Sequence, residues 1–511
     1  MAHSERMSPV DTTWLRMDRP NNLMVIVGVL KLTGPVDARK LEKIIVDRLL
    51  VYRRFRQRVE TRPAGTWWVE ARDFDISRHI HHIRLPGKGG DAELEHFVGE
   101  QAAIPLDPSI PLWQIHIVEK FEGGAALVVR IHHAIADGIA LIGVMLSLTD
   151  EMHALSGGQP APQPTNSGAE DDDRDAAHDD WLHQVFAPFN QALKVGSKLS
   201  GKGLKYAAEL QSNPVRAIDY LKEGTNILSE LAGLVLMAND SPTLLKGKPH
   251  GVKRVAWSEP MALAEVKALS RGIGCSVNDI LLSSVAGAIN SYLADKGETT
   301  EGVEIRALVP VNLRKEGRHL ELGNKFGIVA LELPVGVDNP LERVFEVRRR
   351  MDQLKKSYEA PVTFGLLSAL GYAPKMAQDM LFDTLLSRAT AVMTNVPGPQ
   401  FPMSIAGSRI SQIMFWVPQA GDVGIGVSIL TYNGNVQFGL ITDAALVPDP
   451  KAIIAGFRPH FERLLYHTLM EHETGEAEPP EGGYAAARRA ANDEAAGHGR
   501  KPRRASSKKA R

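Results

Sequence analysis

Runs of β-branched apolar residues alternate with segments of helical period along most of this chain, and that alternation commits it to layered α/β architecture. Residues 23–32, LMVIVGVLKL, lie between the turn signals RPNN and TGPVD and read as a buried strand. Asp37 follows as an N-cap for an amphipathic helix over 38–52. The same reading gives strands at 66–70, 114–121 and 125–133, a helix over 91–103 and one apolar helix over 138–155. Further on come a strand near 253–261, helices at 262–274 and 276–297, strands at 304–313 and 323–335, and a long helix over 340–360. Four more strands end in a hairpin turned at Asn433-Gly434, and a helix over 450–472 closes the series.

Composition divides the chain. Residues 156–180 change abruptly to Gly, Pro, Ser and acid, which predicts a disordered linker. The expected organisation is a first lobe over 1–155, that linker, a helical connection over 181–250, a second lobe over 251–472 and a disordered tail over 473–511 with a basic end. Lys and Arg number 59 against 60 Asp and Glu, so no net field recruits nucleic acid and none is expected as a partner. Cys275 is the single cysteine, which excludes an intrachain disulfide and reads as a small packing residue. No leader-like segment and no apolar run of about 20 residues is visible, so the expectation is a cytoplasmic protein that meets membranes peripherally.

Chemistry concentrates in HHAIADG, residues 132–138. Adjacent residues on a strand face opposite ways, so His132 and His133 are poorly disposed to share a metal ion, and no metal site is expected. Two readings stay open: a structurally satisfied pair, or a general base with one imidazole in a cleft and Asp137 shaping the turn. RHIHH at 78–82 lacks an acid or cysteine at ligand spacing and reads as a polar loop. LSSVAG does not form the G-x-S-x-G elbow of a serine nucleophile. Asn278, in SVNDILL, is a candidate donor to an oxyanion and equally a candidate helix cap, with Asp279 suited to the first helical turn.

HHAIADG, with PLW at 111–113, SVNDILL at 276–282, PVNLR at 310–314, GNKFG at 323–327 and NVPGP at 395–399, resembles the bacterial wax ester synthase/diacylglycerol acyltransferase family over nearly all of residues 7–470. The resemblance implies two chloramphenicol-acetyltransferase-like lobes with a tunnel between them. It implies acyl-CoA as co-substrate, no bound cofactor, and diacylglycerol or a fatty alcohol as acceptor. It makes His133 the catalytic base, which takes the alcohol proton and returns it to the leaving thiolate without an acyl-enzyme. Asn278 falls near the tunnel, as do Pro111, Leu112, Trp113, Asn395, Pro397, Gly398 and Pro399. Asp137 is expected to pair with Arg56 or Arg58 and hold the histidine loop, Gly138 to give room at the helix start, and His132 to be structural. Contact with the inner membrane or lipid inclusions would suit the product.

Two rivals remain at this level. A condensation-type acyltransferase would draw its acyl group from a carrier protein, and GDVGIG at 421–426 stands where such enzymes often show an aromatic-containing motif. A lipid-binding homologue would keep the fold without turnover.

Overall fold

The computed structural model describes residues 4–63, 65–155, 237–313, 322–355, 357 and 359–474. The predicted linker, most of the helical connection, the tail and Arg314 of PVNLR lie outside the described residues.

In the N-terminal part the elements run β1 (Ser4–Arg6), α1 (Pro9–Arg16), β2 (Val25–Leu32), α2 (Ala38–Ile44), β3 (Gln57–Arg62), β4 (Gly65–Glu70), β5 (Ile80–Ile83), α3 (Asp91–Ala103), β6 (Trp113–Phe121), β7 (Gly124–His132), α4 (Gly138–Ser147) and α5 (Asp150–Leu155). After residue 237 come β8 (Lys253–Trp257), β9 (Met261–Ala262), α6 (Leu263–Ile273), α7 (Val277–Asp295), β10 (Ile305–Asn312), β11 (Phe326–Leu333), α8 (Pro340–Leu354), α9 (Glu359–Leu370) and α10 (Lys375–Leu386). The series ends with β12 (Ala391–Pro397), β13 (Ser404–Ile405), β14 (Ser408–Trp416), β15 (Ile425–Tyr432), β16 (Asn435–Asp443) and α11 (Pro450–Thr474).

Two mixed sheets carry the molecule, in the orders β13-β14-β2-β7-β6-β5 and β11-β10-β12-β15-β16-β8, with β9 also on β16. A small sheet, β1-β4-β3, lies apart. Local chemistry accounts for many boundaries. Asp37 accepts from the N–H groups of Arg39 and Lys40 and starts α2. Asn433 and Gly434 take φ of 47° and 77°, the left-handed pair that a tight hairpin between β15 and β16 requires. Every residue of β7 is buried, as suits the middle of a sheet covered on both faces.

Three features depart from the sequence expectation. The helix expected over 138–155 breaks into α4 and α5, because the Arg48 guanidinium takes the carbonyls of Leu148 and Thr149 at 2.8 and 3.0 Å and satisfies the end of the first helix from outside. β14, counted with the second lobe, pairs with β2 of the first, where Trp416 is 1% exposed and 6.2 Å from the Trp257 ring. The helix expected over 340–360 stops at Leu354, and α9 then folds along the edge strand β11. There Thr363 and Glu359 accept from the N–H groups of Ile328 and Ala330, which covers an edge that would otherwise pair with another chain.

Candidate active site

Strand β7 ends at His132, and the chain turns through His133 before entering α4. Two carbonyls hold the turn: Leu112 accepts from the His132 N–H at 3.0 Å and Met24 from the His133 N–H at 2.7 Å. His132 Nδ1 accepts from the Ala134 N–H at 3.0 Å, which leaves the ring proton on Nε2, 3.4 Å from an Asp18 carboxylate oxygen. His132 thus serves the turn through Nδ1, while Nε2 lies near Asp18 without a regular hydrogen bond.

His133 faces a different setting. Its ring stacks on Trp14 at 4.4 Å between centroids and lies 5.5 Å from Phe326, within an apolar cluster that includes Met24, Phe364, Leu367 and Phe382. Burial pushes its pKa down to about 4, with the Asp137 carboxylate acting the other way. The imidazole is neutral at pH 7, the state a general base requires.

Asp137 caps α4, Oδ1 accepting from Ala140 N–H at 3.0 Å, while Oδ2 accepts from Lys325 N–H at 2.9 Å. The expected pairing with Arg56 or Arg58 is replaced. Arg56 Nε lies 3.5 Å from Glu70, and Arg58 is in register with Val69, because both arginines serve the separate β1-β4-β3 sheet. Asp137→Ala should therefore lower stability by about 3 kcal/mol, the sum of a lost cap and a buried charged hydrogen bond. A thermal melt checks this, and an unshifted midpoint would contradict the role.

Gly138 is not forced by packing. A Cβ there would meet only Val417 and Phe415 at 3.9 and 4.0 Å, ordinary contact distances. What the glycine keeps clear is the wall of an apolar cavity of about 90 Å³. Ile131, Leu141 and Met145 line it from the histidine side, and Val396, Gly398 and Pro399 from β12 and the loop after it. Pro111, Leu112 and Trp113 stand elsewhere: Trp113 is 1% exposed, stacks on His79 at 4.3 Å and donates its ring N–H to the Phe55 carbonyl. PLW thus braces the histidine strand from behind, and His79 of RHIHH is part of that packing.

Asn278 does not cap α7. Ser276 does, with Asp279 returning the bond in a capping box: Asp279 N–H donates to Ser276 Oγ at 3.1 Å and Ser276 N–H to Asp279 Oδ2 at 2.9 Å. The Asn278 side chain is left for another partner, and its Oδ1 accepts from Asn395 Nδ2 at 2.7 Å. With the oxygen engaged, the Asn278 NH₂ is the group available as a donor. Pro397 ends β12 in register with Thr431, and Gly398 lies so close to the Thr431 carbonyl that a side chain would collide with it.

The sequence reading missed α1. Ser8 caps it, Pro9 occupies its first turn, and it delivers Trp14 to His133 and Asp11 to Asn324. The Ser-Pro-x-Asp start was a usable signal. Among the described residues no three His, Cys, Asp or Glu side chains are grouped to hold a metal ion, and no single helix is long and apolar enough to cross a membrane.

The chain covers 91% of its length in common with 99% of a wax ester synthase/diacylglycerol acyltransferase structure from Marinobacter aquaeolei VT8, with a TM-score of 0.62 at 20% identity. The first condensation domain of the CDA synthetase aligns over 91% of this chain and 96% of its own, with a TM-score of 0.52 at 14% identity. These likenesses show a shared two-lobed fold. A probable diacylglycerol O-acyltransferase of Mycobacterium tuberculosis is 25% identical over 470 residues, 90% of this chain and 95% of that protein. A family model described as the wax ester synthase/diacylglycerol acyltransferase catalytic domain matches residues 7–281, and one described as the WS/DGAT C-terminal domain matches residues 322–465. With both models matched in order over most of its length, the chain belongs to the wax ester synthase/diacylglycerol acyltransferase family.

Proposed function

We propose that this acyltransferase moves the acyl group of an acyl-CoA onto an alcohol, forming triacylglycerol from diacylglycerol, wax esters from long-chain alcohols, or both. One observation carries the reading. An apolar cavity has Ile131 and Gly138, which flank the histidine turn, in one wall and, in the other, Val396, Gly398 and Pro399, which follow Asn395, the partner of Asn278. In this mechanism the acyl chain occupies the cavity and the alcohol oxygen attacks the thioester carbonyl. His133 accepts the hydroxyl proton as the C–O bond forms, and Asn278 donates to the oxyanion. As the C–S bond breaks, the imidazolium returns that proton to the departing thiolate. No metal or cofactor enters these steps. Tyr372, Met376 and Met380 stand exposed at 58%, 81% and 71% on and just before α10, which supports peripheral contact with a cytoplasmic membrane surface or lipid inclusion.

Asn278→Ala should lower kcat by about a hundredfold and leave KM nearly unchanged, since a donor aimed at the oxyanion stabilises only the transition state. Loss confined to KM would place Asn278 in substrate binding instead.

The activity is tested by CoA release from palmitoyl-CoA with dioleoylglycerol, hexadecanol or no acceptor. Acceptor-dependent release supports the reading and ranks the alcohols. Transfer from an acyl carrier protein but not from the CoA thioester would favour a condensation-type donor, and acyl-CoA binding without turnover would favour a lipid-binding role.

A further inference from the structure

GNKFG clasps the histidine turn from 191 residues away in sequence. Gly323 presents its carbonyl to the Asp137 N–H, Lys325 N–H donates to Asp137 Oδ2, and Phe326 packs against the Trp14 and His133 rings. Asn324 sits at the centre and is 5% exposed. Its Nδ2 donates both to the His133 backbone carbonyl at 2.9 Å and to Asp11 Oδ1 at 2.8 Å. Both partners are acceptors, so the amide has one allowed orientation, with nitrogen toward Asp11 and oxygen away from it. Asp11, 1% exposed, is fixed in turn: Oδ1 also accepts the Asn324 backbone N–H at 3.2 Å, and Oδ2 accepts from Arg54 at 2.8 Å. The Arg54 guanidinium lies 4.9 Å from the Trp68 ring, which holds the far end of the chain of bonds.

That orientation leaves two buried polar atoms without a regular hydrogen bond: Asn324 Oδ1 and His133 Nδ1. An unpaired buried acceptor and an unpaired buried ring nitrogen are each costly, and each supplies what the other lacks. Nδ1 also lies near its own backbone carbonyl, the one that Asn324 Nδ2 holds in place. Both groups beside Nδ1 are therefore acceptors under the control of one side chain.

We infer that Asn324, oriented by the buried Asp11–Arg54 pair, is the positioning residue of His133, keeping the ring proton on Nδ1 so that the lone pair on Nε2 faces the substrates. This rests on the general-base reading of His133. The arrangement does with a neutral amide what a carboxylate next to the imidazole does in other acid–base sites, and it keeps the anion one residue further away. A charge at Asp11 still polarises the amide, while the base stays neutral in its apolar surroundings. In the resting protein the Asn324–His133 contact is loose; it tightens as the ring gains positive charge in the transition state, where acceptors at Nδ1 have most effect.

The test compares wild type, Asn324→Ala, Asp11→Asn and His133→Ala at pH 7, using palmitoyl-CoA with the best alcohol found above. Two quantities are read: kcat against KM, and the ring ¹⁵N shifts of His133 in histidine-labelled protein, assigned by subtracting the His133→Ala spectrum. The expected wild-type signal is that of the Nδ1–H tautomer. Asn324→Ala should mix the tautomers and lower kcat about a hundredfold with KM within about threefold, and Asp11→Asn should lower kcat about tenfold in the same direction. A merely structural asparagine would change stability without moving the tautomer. Should Asn324→Ala fail to fold, Asp11→Asn, which preserves shape, decides alone. Wild-type ring shifts and wild-type kcat in a folded variant overturn the inference. Full turnover in His133→Ala would instead sink the general-base reading itself, so the two failures are distinguishable.

Discussion

His133→Ala should lower kcat by about 10³- to 10⁴-fold, near the upper range for removing a general base, while acyl-CoA still binds. An alcohol is a weak nucleophile at neutral pH and must lose its proton as the C–O bond forms. The described structure buries one neutral imidazole, His133, against Trp14, between the cavity-lining residues Ile131 and Gly138 in sequence, whereas His132 gives its Nδ1 to the Ala134 N–H. Removing the ring leaves a void against Trp14 and Phe326, so a stability loss of about 1–2 kcal/mol accompanies it, and rates should be compared well below the melting range. The pH profile adds a second check. Burial lowers the His133 pKa to about 4, so the base stays unprotonated down to about pH 5, and kcat should fall only on further acidification. The groups that set this value besides burial are Asp137, the backbone of His133 itself and the Asn324 side chain, which raise it, and His132, which lowers it. The same shift acts on stability. Between the ordinary value of 6.5 and about 4 the unfolded chain binds a proton that the folded one does not, so stability declines as pH falls through that window. Substantial acceptor-dependent turnover in a folded His133→Ala variant would remove the general base from the mechanism.

Gly327→Ala should destabilise the protein by about 3 kcal/mol or more, without touching any reacting group. Gly327 lies in β11, where α9 crosses the strand, and a Cβ there would overlap the carbonyl of Ala360. The neighbour is helix backbone tied by Thr363 and Glu359 to the N–H groups of Ile328 and Ala330, so it cannot move aside without losing those bonds. Because Asn324 and Phe326 immediately precede this contact, strain there displaces the segment that clasps the histidine turn. The expected result is a lowered unfolding midpoint together with reduced turnover at moderate temperature. A melt indistinguishable from wild type would mean that the helix yields freely.

The parts legible in the sequence were those whose signals are local. Runs of β-branched apolar residues gave most of the strands, Asp37 gave the start of a helix, and Asn433-Gly434 gave a hairpin, because each depends on a few neighbouring residues. HHAIADG and NVPGP pointed to the site through their residue types and through the family they resemble. The misreadings have a common origin in distant partners. Arg48 ends α4 from another element, Ser276 rather than Asn278 caps α7, and Arg56 is drawn to Glu70. Helices α9 and α10 and the N-terminal α1 were not read at all, although their apolar sides build the cluster around His133.

By itself, then, the sequence determined the layered α/β class, the punctuation of many elements and the identity of the histidine motif. Periodicity, capping and turn chemistry are settled within a few residues of chain. The tertiary structure alone decided that β14 completes the first sheet, that Val396, Gly398 and Pro399 share a cavity with the residues flanking the histidine turn, and that Asn324 links Asp11 to the His133 carbonyl. Those outcomes depend on which surfaces exclude water together and which buried polar atoms must find partners across hundreds of residues. Close packing and hydrogen-bond satisfaction fix both only when the whole chain has folded.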